Sequence, residues 1–145
     1  MNKLWAVALM MAAGSASAQS HLDRVIESKT LNVCTTGDYK PYTFLRSDGS
    51  YEGIDIAMAE SLAKSLGAQV NWVPTSWKTL TPDFLAKKCD IALGGVSVTL
   101  KRQQTAWFAN PLGTDGKIPL VRCADKDKYQ TIEQLNQPQV RLVEP

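Results

Sequence analysis

The sequence predicts an α/β fold with a parallel sheet, and three observations carry that expectation. Apolar runs of strand length alternate with segments of helical periodicity, in the order strand, helix, strand, helix, strand. The third run, 90–96, ends in Gly94-Gly95 and passes through Ser97 to Arg102, as a buried strand does when it empties into a ligand loop. The composition is that of an ordinary globular domain: 44% hydrophobic, 21% charged and without low-complexity tracts, in a 145-residue chain of one-domain length.

The first residues are a targeting segment. Lys3 precedes an apolar run over 4–13, and Ala16-Ser17-Ala18 is a small-residue cleavage pattern, so residues 1–18 read as a secretory signal cut after Ala18. The run is shorter than the ~20 residues a bilayer span requires, so no membrane insertion is expected once it is removed. Export places the protein in the bacterial periplasm. The net charge is only +2 and the basic residues are scattered, which argues against a nucleic-acid or membrane surface.

Residues 22–29 form a short amphipathic lead-in, and 31–35 a first strand ended by Gly37-Asp38. Residues 39–44 form an aromatic loop or edge segment, because Pro41 cannot donate to a ladder; 47–50 is a turn by residue type. A helix opens at Gly53-Ile54-Asp55: Ile56, Ala59, Ala63 and Leu66 recur at helical spacing, Asp55 suits a cap and Gly67 an end. A second strand covers 69–73, a loop 75–77, and a helix 79–88 carries Pro82 early. After the strand 90–96, a short helix spans 100–106, and an apolar strand 118–121 follows the turn at Asp115-Gly116-Lys117. Thr131 and Gln134 fit a capping box, that helix stops before Pro138, and 140–143 begins a further strand. A domain ends poorly on an apolar strand without a successor, so the chain is expected to be truncated at Pro145.

In parallel sheets ligands sit beyond the carboxyl ends of the strands. The loops there carry Thr36 to Tyr39, Thr75 to Trp77, and Gly94 to Arg102. In the last of these, backbone N–H groups, the Ser97 hydroxyl and the Arg102 guanidinium are expected to converge on an anion, arginine being suited to carboxylates. The cysteines are odd in number, Cys34, Cys89 and Cys123, so at least one lacks an intrachain partner. Cys34 and Cys89 read as buried thiols, and Cys123 is expected to pair beyond the chain given. No cysteine or histidine spacing suits a metal. The only histidine, His21, reads as solvated at the start of the processed chain, so no cofactor, metal or catalytic thiol is expected.

Four segments, Gly37-Asp38-Tyr39-Lys40-Pro41, Gly53-Ile54-Asp55-Ile56, Asp90 through Arg102, and Phe108-Ala109-Asn110-Pro111, together resemble the periplasmic solute-binding proteins for polar amino acids. The resemblance implies the periplasmic-binding-protein-like type II fold, in which two α/β lobes close on a ligand. It divides this chain into the signal peptide at 1–18, a first lobe at 19–122, and a crossing segment with the beginning of a second lobe at 123–145. It also implies that Ser97 and Arg102 hold a ligand carboxylate beside the Gly95 backbone, with Tyr39 and Trp77 as aromatic walls.

A narrower resemblance is to the cyclohexadienyl dehydratases, periplasmic enzymes on the same fold. It rests on Thr35 through Pro41, Val73-Pro74-Thr75-Ser76-Trp77, Asp115-Gly116-Lys117 before Ile118-Pro119, and Gln130 through Gln134 before Gln137-Pro138. It implies conversion of prephenate to phenylpyruvate, or arogenate to phenylalanine, with loss of water and carbon dioxide. Lys117 then stands where a second cation meets the substrate's second carboxylate. The general acid is expected as a glutamate of the second lobe, and neither Glu133 nor Glu144 is assigned that role. Two departures from the transport receptors are Lys101 before the arginine and Leu112 after Pro111. The alternative is a receptor delivering an amino acid to an ABC permease.

Overall fold

The computed structural model describes residues 20–114, 116 and 118–143. These fall into two compact units, one ending at Phe108 and the other beginning at Ala109.

In the first unit, helix α1 (His21–Ser28) is capped by Ser20, whose hydroxyl accepts from the Asp23 N–H while the Asp23 carboxylate accepts from the Ser20 N–H. Strand β1 (Thr30–Thr35) is the centre of a parallel sheet, flanked by β5 (Gln69–Pro74) in register from Thr30↔Gln69 to Thr35↔Pro74, and by β6 (Ile91–Ala92). A second sheet is antiparallel, ordered β2 (Asp38–Tyr39), β3 (Thr43–Leu45), β4 (Tyr51–Glu52). The aromatic stretch 39–44 is thus a hairpin, with Pro41 in its connection where no ladder N–H is needed.

Helix α2 (Ile54–Ser65) buries Ile56, Ala59 and Ala63, and Leu66 packs half-buried beside them, the spacing anticipated. With Val25, Leu31 and Val33 these alanines close the main core, where Val33 and Ala59 are fully buried. Each fully buried aliphatic side chain of valine size contributes about 1.5–3 kcal/mol. The helix ends at Gly67 (φ 64°) in a Schellman arrangement, with Gly67 N–H to Lys64 C=O at 3.1 Å and Ala68 N–H to Ala63 C=O at 2.9 Å. Its start demands a glycine: a Cβ on Gly53 (φ 138°) would stand 2.2 Å from the Tyr42 carbonyl oxygen. Helix α3 (Leu80–Leu85) and α4 (Leu100–Gln103) complete the unit.

Several expectations are corrected. The third strand is only Ile91–Ala92, because Gly94 (φ 129°) and Gly95 (φ 69°) turn the chain away from the ladder. The helix expected over 79–88 stops at Leu85, and Lys87 lies in the left-handed region (φ 59°); that over 100–106 stops at Gln103. Asp55 does not cap α2, whose N-cap is Gly53, but lies in the first turn, buried, and bonds elsewhere. Cys34 and Cys89 are not thiols: they form a disulfide with Cα atoms 5.6 Å apart, in a second core cluster with Leu80. Cys123 is exposed and forms no disulfide among the described residues.

The second unit carries a 3₁₀ turn over Cys123–Asp125 and helix α5 (Ile132–Leu135). The capping box is present, with Thr131 Oγ1 accepting from the Gln134 N–H and Gln134 Oε1 from the Thr131 N–H. The strands expected at 118–121 and 140–143 are irregular instead, with Leu120 98% and Val143 94% exposed. Apolar runs become strands only against a ladder partner, and neither finds one among the described residues.

Candidate functional site

The carboxyl ends of β1, β5 and β6 form one rim, because the three strands are parallel. From β1 the chain passes through Thr36, whose hydroxyl is buried with no hydrogen-bond partner among the described residues. It then reaches Asp38 and Tyr39. From β5 it passes into a loop fastened by side chains. Thr75 Oγ1 donates to Asp83 Oδ2 at 2.7 Å, Ser76 N–H donates to Thr79 Oγ1 at 3.1 Å, and the Ser76 and Thr79 hydroxyls lie 2.9 Å apart. Lys88 Nζ, 2.6 Å from Asp83 Oδ1, and then the Thr75 hydroxyl hold the Asp83 carboxyl below its ordinary value of 3.8.

Trp77 stands at the tip of that loop, and the structure brings it to Tyr39. The rings meet edge-on with centroids 5.7 Å apart and planes at 82°. Trp77 Nε1–H donates to Asp38 Oδ1 at 3.0 Å. Tyr39 also stacks obliquely on Tyr42, 5.3 Å between centroids. Gly95 backs the pair, since a Cβ there would come 2.5 Å from the Tyr39 ring.

The third loop is organised by Asp55. Its Oδ2 accepts from Gly94 N–H at 2.9 Å and from Gly95 N–H at 2.8 Å, while its own N–H donates to the Tyr42 carbonyl at 3.1 Å. Asp55 therefore joins the first turn of α2 to the Gly94–Gly95 turn through its buried carboxylate and to the aromatic hairpin through its backbone N–H. It also corrects the anticipated anion site, because those two backbone donors are already engaged. The Arg102 N–H is engaged as well, by Thr99 Oγ1 at 3.2 Å, Thr99 being the N-cap of α4. What this loop offers a ligand is the exposed Ser97 side chain and the guanidinium of Arg102. Arg102 Nη1 donates to the Ser97 carbonyl at 2.9 Å, which closes 97–102 into a unit; no other hydrogen bond engages the guanidinium among the described residues.

Of the residues singled out from sequence, Tyr39, Trp77 and Gly95 come together, and Ser97 and Arg102 come together on the same rim. Lys117, like Asp115 and Glu144, lies outside the described residues. Glu133 sits in the first turn of α5, where its own backbone N–H and then the Thr131 hydroxyl hold its carboxyl below the ordinary 4.5, the wrong direction for a proton donor near neutral pH. Sequence reasoning missed Asp38, Tyr42 and the bridging role of Asp55; for Asp55, an acid between Ile54 and Ile56 in the first turn was the available signal. Among the described residues no group of three or more His, Cys, Asp or Glu could hold a metal, and no helix is long and apolar enough to cross a membrane. A broad depression of about 700 Å³ lies at the opposite end of the sheet, by Lys29, Lys64, Gln69 and Trp72, away from the rim.

The profile of the bacterial extracellular solute-binding proteins, family 3, matches residues 31–140. The chain is 44% identical over 143 residues to the cyclohexadienyl dehydratase of Pseudomonas aeruginosa, covering 99% of this chain and 53% of that protein. An ancestral cyclohexadienyl dehydratase structure matches with TM-score 0.66 and 54% identity, over 86% of this chain and 52% of that one. An ancestral amino acid-binding protein, a precursor of cyclohexadienyl dehydratase, matches with TM-score 0.76 and 40% identity, over 83% and 53%. The chain thus spans about half the length of the relatives it matches.

Proposed function

Since the chain belongs to the bacterial extracellular solute-binding proteins of family 3, we propose that the whole protein is a periplasmic dehydratase, converting prephenate to phenylpyruvate and arogenate to phenylalanine. The observation that carries this reading is the 44% identity to a cyclohexadienyl dehydratase over nearly the entire chain. Processing after Ala18 would deliver residues 19–122 as the first lobe, with 123–145 crossing toward a second.

The chemistry asks for two carboxylate partners, a wall for the ring and one proton. Prephenate carries one carboxylate on its ring and one on its side chain, and a ring hydroxyl opposite the first. As the ring C–CO₂ bond breaks, its electron pair moves through the diene and expels the hydroxyl, which leaves as water when protonated. Carbon dioxide departs and the ring becomes aromatic. Aromatisation drives the reaction, so the protein's task is to orient the substrate and supply one proton. Arg102 and Ser97 take one carboxylate, Lys117 the other, and Tyr39 with Trp77 wall the ring. The proton donor, by resemblance to the cyclohexadienyl dehydratases, is a glutamate of the second lobe; the Glu133 carboxyl, held below its ordinary value, is shifted in the wrong direction for that role.

A second reading, an amino-acid receptor serving an ABC permease, is supported by the likeness to the ancestral amino acid-binding protein, at TM-score 0.76 and 40% identity. Incubating the full-length protein with prephenate separates the two. The dehydratase reading expects phenylpyruvate in step with prephenate loss; tight binding of a free amino acid with prephenate left intact would establish the receptor. N-terminal sequencing of the exported protein checks cleavage after Ala18.

A further inference from the structure

We propose that Asp38 is the positioning residue of the aromatic wall, holding the Trp77 indole in the one orientation the ring subsite uses; this rests on the dehydratase reading above. The main chain on either side of Trp77 is already fixed, by Thr75 on Asp83 and by Ser76 on Thr79. The Tyr39 ring packs obliquely on Tyr42, and a Cβ on Gly95 would come 2.5 Å from it. The two side-chain torsions of Trp77 are set separately, and the residue is 39% exposed, much as Tyr39 is at 38%. Two contacts restrain them: the edge-on meeting with Tyr39 and the Nε1–H···Oδ1 bond to Asp38. Ring contact alone tolerates sliding and tilting, whereas a hydrogen bond at one end of the indole fixes its rotation.

The position of this carboxylate supports the assignment. An acid on the rim of a site for a dicarboxylate repels its substrate, so Asp38 is disadvantageous there unless it serves something else. Donation from the indole gives it that service. The bond also links loops 39 residues apart in sequence, so the β1 and β5 sides of the rim are set as one surface.

The test is a double-mutant cycle in the full-length protein, read as kcat/KM for prephenate, with Asp38→Ala, Trp77→Phe and the double variant. Coupling between residues in contact is large enough to detect. Asp38→Ala should lower kcat/KM by about tenfold when Trp77 is intact, and by less than about twofold in the Trp77→Phe background, where no indole N–H remains to be held. Asp38→Asn keeps an acceptor oxygen and should recover most of the loss. Equal losses in both backgrounds, or no loss with Trp77 intact, would overturn the proposal. A second readout does not depend on activity: the indole N–H resonance of Trp77, assigned by its disappearance in Trp77→Phe, should move upfield in Asp38→Ala. An unmoved resonance also overturns it. If wild type leaves prephenate intact, the dehydratase reading fails and the ring subsite with it, while the resonance still decides whether Asp38 holds the indole.

Discussion

Between residues 20 and 108 a set of apolar side chains closes into a buried core, and among the described residues from 109 to 143 none is buried. Val33, Cys34 and Ala59 are fully buried, whereas Ile118, Leu120 and Val143 are 88%, 98% and 94% exposed. Both regions carry comparable apolar runs, so hydrophobicity alone does not separate them. The first unit has a ladder for its strands, a helix face to lay across them and a disulfide. The second is held by local contacts, a capping box and short turns, which satisfy backbone groups without excluding water. An apolar run specifies a strand only when another segment supplies the hydrogen bonds and the opposing face.

Substitutions put this contrast to the test, beginning with the disulfide. Cys34–Cys89 closes a long loop, with a sequence separation of 55, and chain entropy assigns it about 4 kcal/mol. Cys34→Ser should therefore collapse the denaturant midpoint of the first unit, while Cys123→Ser in the second leaves it in place.

Gly53→Ala is next. It forces a Cβ to 2.2 Å from the Tyr42 carbonyl at a φ of 138°, and should cost about 3 kcal/mol in urea unfolding. A loss below about 0.5 kcal/mol would mean that the α2 start and the aromatic hairpin are not locked as described.

A third pair of substitutions sets the two regions side by side. Val33→Ala should destabilise by about 2 kcal/mol, against less than about 0.5 kcal/mol for Leu120→Ser. Equal effects would place Leu120 in a core.

The weakest effect is a pH dependence. The Asp83 carboxyl is held below its ordinary 3.8 by Lys88 and Thr75, so its contribution to stability is present above pH 3.8 and is lost as pH falls through the lower, folded value. Thermal unfolding of Asp83→Asn should differ from wild type near neutral pH, and the two curves should converge once the solution is acid enough to protonate Asp83 in the folded protein.

What was legible in the sequence divides along the same line. β1, α2 and β5 could be read because each pairs a periodic pattern with an end signal, such as Gly67 after α2. The parallel sheet followed from their order. That the loops carrying Tyr39, Trp77, Ser97 and Arg102 share one rim was legible through the loop logic of parallel sheets. The disulfide was not, because nothing in a spacing of 55 residues says that the Cα atoms of Cys34 and Cys89 approach to 5.6 Å. Asp55 looked like a cap since caps and buried acceptors use the same residue types; only the fold shows Gly94 and Gly95 beside it. The strands expected at 118–121 and 140–143 failed for want of partners, a non-local property that no window on the chain contains.

In the proposed function the rim of the first unit is a substrate jaw, and Arg102 is its carboxylate clamp. The decisive comparison is kcat/KM for prephenate between the full-length protein and its Arg102→Ala variant, both checked for folding by circular dichroism. Loss of a charged clamp in a closed site should lower kcat/KM by about 100-fold or more. A variant within about twofold of wild type would refute that role and move the carboxylate site elsewhere.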